Sequence, residues 1–126
     1  MVKRKVAIIF TVAVVAVAAA AIVVWKIFQP VWQVESNVRA RLKDPDSAKF
    51  SEVTFNAAKG AGCGYVNAKN SMGGYTGTSH FVLLKDGALH FAPSGDETEG
   101  TLDQRIDYLK KKIAYLQLVD DYCTKK

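Results

Sequence analysis

Twenty consecutive residues, Val6 to Trp25, carry no charge and a single polar side chain, Thr11. Wound as an α-helix at ~1.5 Å per residue they reach ~30 Å, the thickness of a bilayer's hydrocarbon core. A helix of that length buried in a soluble domain keeps a polar stripe for its wet side, and this one has none. Lys3-Arg4-Lys5 precedes the run and Trp25-Lys26 closes it, a basic flank and an interfacial aromatic. The expected organisation is a cytoplasmic basic flank over 1–5, a transmembrane signal anchor over 6–25 and an exported domain over 26–126. Ala16-Val17-Ala18 and Ala18-Ala19-Ala20 both match the small-x-small pattern of a signal-peptidase site, so a cleaved signal peptide is the alternative. Ile22-Val23-Val24-Trp25 continues the apolar run past either site and favours the anchor, and no Cys follows the run to carry a lipid. Under both readings the basic cluster stays in the cytoplasm and the C-terminal part is exported.

The formal charge of +5 needs dividing before it is read. Four of the 17 Lys and Arg (Lys3, Arg4, Lys5 and Lys26) flank the apolar run, which leaves 13 basic against 12 acidic residues in the remaining chain. Nucleic-acid binding needs a concentrated basic face that releases counterions, so that partner class is excluded. Cys63 and Cys123, the two cysteines, lie sixty residues apart. In a small exported domain they are expected to pair. Closing so long a loop stabilises a fold by ~4 kcal/mol in the chain-entropy treatment. The alternative is two buried free thiols. A zinc site from Cys63, His80, His90 and Cys123 would lack the short paired spacings such sites use, so no metal and no cofactor are expected.

Pro30 is expected to break the membrane helix. Val34, Val38 and Leu42 then mark one face of a short helix from Val31 to Lys43, ended by Asp44-Pro45-Asp46. Phe50 to Ala57 alternates as a strand, with Val53, Phe55 and Ala57 on one side and Glu52, Thr54 and Asn56 on the other. Gly60-Ala61-Gly62 reads as a turn into a strand from Cys63 to Asn67, with Cys63, Tyr65 and Asn67 on one face. After the loop Lys69–Gly74 comes strand sequence through Lys85. Asp86-Gly87 predicts a two-residue type I′ hairpin, pairing Leu84 with Leu89 and Val82 with Phe91 on the core face and putting His80 and His90 on opposite faces. Thr101-x-x-Gln104 is a capping box opening a helix to Tyr122, its buried stripe Leu102, Ile106, Leu109, Ile113 and Leu116. Tyr108, Tyr115 and Tyr122 lie at the rim of that stripe. The fold class is α+β: a transmembrane helix, then a small antiparallel sheet of three or four strands packed by a short N-terminal and a long C-terminal helix on one face.

Catalysis needs groups that can be brought together, and none is legible. The two histidines are expected apart, the cysteines paired, and Gly73-Gly74-x-x-Gly77 is followed by neither a helix pattern nor a Lys. The segment Cys63 to Gly77 is nonetheless unusual, with four Gly, two Asn and two Tyr in fifteen residues. Gly64, Asn67, Gly73, Gly74 and Gly77 are read as setting its backbone, and Lys69, Asn70, Met72 and Tyr75 as candidate partner contacts.

Leu42-Lys43-Asp44-Pro45-Asp46-Ser47-Ala48-Lys49-Phe50, followed by Cys63-Gly64-x-Val66-Asn67-Ala68-Lys69-Asn70-Ser71-x-Gly73-Gly74-Tyr75-x-Gly77 and Phe81, resembles a family of small, exported or membrane-anchored, largely uncharacterised bacterial and phage proteins. The resemblance covers about forty residues and departs at Met72, where an aromatic is expected. It implies a bacterial inner-membrane protein with its domain in the periplasm, of host or prophage origin, and no established activity. The functional expectation is a disulfide-stapled periplasmic module that binds a protein or envelope component, in a prophage version for superinfection exclusion. The alternatives are a thiol- or metal-dependent envelope hydrolase and a structural subunit of a membrane assembly.

Overall fold

A computed structural model of the chain describes residues 1–124. Helix α1 runs unbroken from Val2 to Arg39, about 57 Å at 1.5 Å per residue. Pro30 lies inside it and does not end it. Proline removes one backbone donor, and the Lys26 carbonyl it leaves without a partner sits on an exposed stretch where solvent can serve it. The expected separate helix after Pro30 is therefore the last part of α1. A turn and a 3-10 segment, Pro45–Ser47, lead to the strands β1 (Lys49–Asn56), β2 (Ala61–Asn67), β3 (Ser79–Leu83) and β4 (Leu89–Phe91). They pair antiparallel in the order β1-β2-β3-β4, and helix α2 (Leu102–Tyr122) closes the chain. The α+β class holds.

One face of the sheet packs on the end of α1. Val34, Val38, Val66, Phe81 and Leu83 are buried there, with Leu42, Phe50, Val53, Phe55 and Leu89 partly buried around them. Phe81 and Val38 are fully enclosed, and each such side chain stabilises the fold by ~1.5–3 kcal/mol. Gly62 is where α1 touches the sheet: a Cβ there would lie 2.3 Å from a Val34 methyl. Strict alternation would put Phe50 and Phe55 on opposite faces, yet both face α1. Pairing slips between Ser51↔Tyr65 and Thr54↔Cys63, so Glu52 and Val53 together oppose Gly64. This β-bulge turns the strand by one residue, with Glu52 at φ 52°. It also brings the Val53 backbone so near Gly64 that a Cβ there would lie 2.9 Å from Val53 Cα.

The β3–β4 connection corrects the expected register. A type I′ turn needs positive φ at both central residues, and of Asp86 and Gly87 only Gly87 adopts it, at φ 89°. The loop therefore takes three residues, Lys85 to Gly87, closed by Gly87 N donating to Leu84 O at 2.9 Å and Leu84 N to Ala88 O at 2.8 Å. Val82 thus pairs with His90 and Leu83 with Leu89. One added residue exchanges the faces: Val82 and Phe91 separate, and His80 and His90 share a face.

That second face, carrying buried Ala61, Cys63 and Val82, is the one α2 covers. The two helices flank the sheet on opposite sides, not on one. The capping box forms as expected, with Thr101 N donating to Gln104 Oε1 at 2.9 Å and Gln104 N to Thr101 Oγ1 at 3.4 Å. The expected burial of α2 is reversed. Tyr108, Lys112, Tyr115, Leu118, Val119 and Tyr122 are half-buried on the sheet side, while Leu102, Ile106, Leu109, Ile113 and Leu116 are exposed. Apolar periodicity names the greasy side of a helix. The covered side was decided by partners: the Cys63–Cys123 disulfide, with Cα atoms 5.9 Å apart, the Tyr115 hydroxyl against His80, and the Tyr122 carbonyl accepting from Asn56 Nδ2.

Candidate functional site

β2 and β3 are joined by eleven residues, Ala68 to Thr78, that form a small hairpin of their own. Lys69 and Tyr75 pair across it. Asn70 N donates to Gly74 O at 2.8 Å and Gly73 N to Asn70 O at 3.1 Å. The Asn70 Oδ1 accepts from Met72 N at 3.0 Å and Gly74 N at 3.2 Å, so one side chain holds the whole tip. Gly73 supplies the left-handed residue the tip requires, at φ 81°.

The hairpin is fastened to the 3-10 segment by one residue. Ser47 Oγ accepts from Lys69 N at 2.9 Å and donates to Asp44 O at 2.8 Å. The Tyr75 hydroxyl donates to Ser47 O at 3.4 Å. Arg39, at the end of α1, donates to Pro45 O at 2.9 Å and stands 5.2 Å above the Phe50 ring, which packs on the core. A continuous run of contacts thus leads from the core to the tip. Over it, the ammonium groups of Lys49 and Lys69 lie 4.7 and 5.5 Å from the Tyr75 ring centroid. Each such cation–π contact at an exposed site stabilises by ~0.5–1 kcal/mol.

The four candidate contacts therefore divide. Asn70 is spent on the backbone of its own turn. Lys69 and Tyr75 (43% exposed) form a cation-flanked aromatic face, and Met72 stands clear of it at 92% exposed. The residues read as shaping the backbone divide too. Gly73 and Gly77 are left-handed, at φ 81° and 94°, and Gly64 is required by the close approach of Val53. Gly74 is not left-handed and has open space around it, because Gly73 already takes the strained position. Asn67 ends β2 with its Oδ1 buried and without a hydrogen-bond partner. Sequence reasoning missed Ser47, Lys49 and Arg39 as members of this assembly. The signal was present: Leu42–Phe50 and Cys63–Phe81 are separate in the chain, and they meet where Lys49 and Phe50 pair with Asn67 and Val66 and where Ser47 Oγ accepts from Lys69 N.

A second polar cluster lies between the sheet and α2. His80 Nδ1 is 2.7 Å from the Tyr115 hydroxyl, and the Tyr65 and His80 rings meet edge to face at 4.9 Å. Burial lowers the His80 pKa from its ordinary value. Burial first, and then the neighbouring Tyr65, push Tyr115 up to about 12. Both facts agree with a tyrosine O–H donating to a neutral imidazole. His90 is exposed on the same face. Cys63 is bonded to Cys123 and 4% exposed, so it presents no thiolate. Among the described residues no three His, Cys, Asp or Glu side chains gather as a metal site would require.

No family model, no curated protein and no solved structure matches the chain. What α1 and the disulfide establish is coarser: one N-terminal helix long and apolar enough to cross a membrane, joined to an oxidised α+β domain, which fits a membrane protein.

Proposed function

We propose that the chain is a single-pass protein of a bacterial inner membrane whose periplasmic domain binds an envelope protein through the hairpin tip at Lys69, Met72 and Tyr75. The observation that carries this reading is the contrast within the tip. Its backbone is held by Asn70 and Ser47, yet Met72 at the turn is 92% exposed, in the same hairpin as a lysine-flanked aromatic ring. A fixed backbone lowers the entropy lost on binding, and a bare thioether in one hairpin with a cation-flanked aromatic is adaptable recognition chemistry. Unbroken α1 supports the same reading, since it carries the domain from the apolar run with no flexible linker between them. The resemblance to exported bacterial and phage proteins extends the proposal to a prophage setting, in which the captured protein is one a second phage needs for entry.

The test is a photo-crosslinking residue in place of Ser71, the exposed tip neighbour of Met72, in living cells, paired with a phage-sensitivity panel. A single envelope-protein adduct is expected. Met72→Ala and Lys69→Ala should reduce it at least tenfold, with stability unchanged to within ~0.5 kcal/mol for Met72→Ala and ~1 kcal/mol for Lys69→Ala, which loses one cation–π contact. Adduct and phage sensitivity both indifferent to these substitutions would make the tip mere scaffold and end the proposal.

A further inference from the structure

The exposed stripe of α2 has an order of its own. Leu102, Ile106, Leu109, Ile113 and Leu116 are spaced four, three, four and three residues apart, a period of 3.5. They are 69, 41, 40, 56 and 56% exposed. Lettered as a heptad, Ile106 and Ile113 fall at a, and Leu102, Leu109 and Leu116 at d. β-branched residues at a with Leu at d is the combination that favours two parallel strands over higher assemblies.

We propose that α2 is a homodimerisation helix: two copies of the chain in one membrane pair these stripes as a short parallel coiled coil. The area is sufficient. Five Leu and Ile side chains exposed to this degree present on the order of 500 Å² of apolar surface, the upper end for a monomer's largest patch. Two such stripes reach roughly the 1,000 Å² that a specific interface needs, before the stems of flanking Arg105 and Lys110 are counted. A lipid surface is a poorer occupant. α2 carries Asp103, Asp107, Asp120 and Asp121 against Arg105, Lys110, Lys111 and Lys112, and its stripe has no Trp or Phe to sit among headgroups. The docked side of α2 stays free of the pairing, because Tyr108, Tyr115 and Tyr122 lie around the helix from the stripe.

The charges beside the seam make the pairing weak in dilute solution and sensitive to confinement. In parallel register Arg105 at g meets Lys110 of the second copy at e, a like-charge pair made twice by symmetry. Confinement of both anchors to one bilayer raises their effective concentration and offsets that repulsion.

The inference does not rest on the hairpin tip and is tested without it. The full chain is expressed in membranes as Leu109→Cys, or as Lys111→Cys on the opposite side of the helix, and exposed to a mild thiol oxidant. A covalent dimer is expected for Leu109→Cys and not for Lys111→Cys, with the Cys63–Cys123 bond intact in both. Adding Lys110→Glu turns two repulsive pairs into attractive ones and should raise the dimer fraction constant roughly five- to tenfold. Adding Ile113→Asp should abolish the dimer while melting stays unchanged, since that side chain is exposed. No crosslink at Leu109→Cys, equal crosslinking at both positions, or a dimer that survives Ile113→Asp would each overturn the proposal, the last by assigning pairing to α1. A Lys110→Glu effect of the opposite sign, with loss of vesicle contact by α2, would give the stripe to anionic lipid instead.

Discussion

Gly62 and Gly64 show how a missing side chain holds this protein together. Neither has a left-handed backbone, so their place is explained by contact: one lets the α1 helix reach the sheet, the other makes room for the bulge that aims Phe50 and Phe55 the same way. Gly62→Ala should therefore destabilise the domain by about 2–3 kcal/mol, as overpacking at a rigid site does. Its melting temperature would drop by roughly 10 °C. Gly74→Ala, with nothing but open space and an Asn70 oxygen 3.9 Å away, should fall within ~0.5 kcal/mol of the parent. Because the three atoms nearest that Cβ all belong to Val34, the Val34→Ala/Gly62→Ala double variant should cost less than the sum of the two single changes. Thermal melts of the parent and the four variants Gly62→Ala, Gly74→Ala, Val34→Ala and Val34→Ala/Gly62→Ala check these points. Full additivity would mean that α1 does not press on β2 as described.

At the scale of elements, α2 is attached to the sheet by polar and covalent links more than by burial, and this makes its docking sensitive to pH. Burial holds His80 below its ordinary pKa, so the unfolded chain takes up a proton before the folded one. That contribution is fully present above the unfolded value of ~6.5 and is lost as pH falls below it toward the lower folded value. Tyr115 runs the other way. Its folded pKa is raised to about 12, so its contribution is intact below the unfolded value of ~10 and lost as pH rises through 12. Melting temperature should decline as pH falls below about 6.5, and His80→Gln should flatten that decline. A decline of equal size in His80→Gln would assign the acid sensitivity to another group.

For the whole molecule the disulfide decides how many parts there are. α1 and the sheet share a core of their own, whereas no residue of α2 is fully buried. Cys123→Ser should cost about 2–4 kcal/mol of stability. It should also raise amide exchange across Leu102–Tyr122 and admit protease into the Pro93–Gly100 loop, while β2 and β3 stay protected. Uniform loss of protection over the sheet as well would show that α2 is integral to the core.

Much of this was legible in the residues because it depends on local chemistry. The apolar run, the capping box, the paired cysteines and the alternation along β2 each follow from neighbours in the chain, and an antiparallel α+β domain follows from their order. Three features were not legible, each for a stated reason. A β-bulge leaves no mark on composition, so the common face of Phe50 and Phe55 could not be read. Asp86-Gly87 permits a two- or a three-residue loop, and the choice, set by which residue accepts positive φ, moves His90 from one face to the other. Finally, periodicity showed that α2 has an apolar side but not that its tyrosine side would be drawn to the sheet. The sequence alone determined which surfaces exist; the tertiary structure decided which of them face inward, because burial belongs to pairs of elements and no single segment contains its partner.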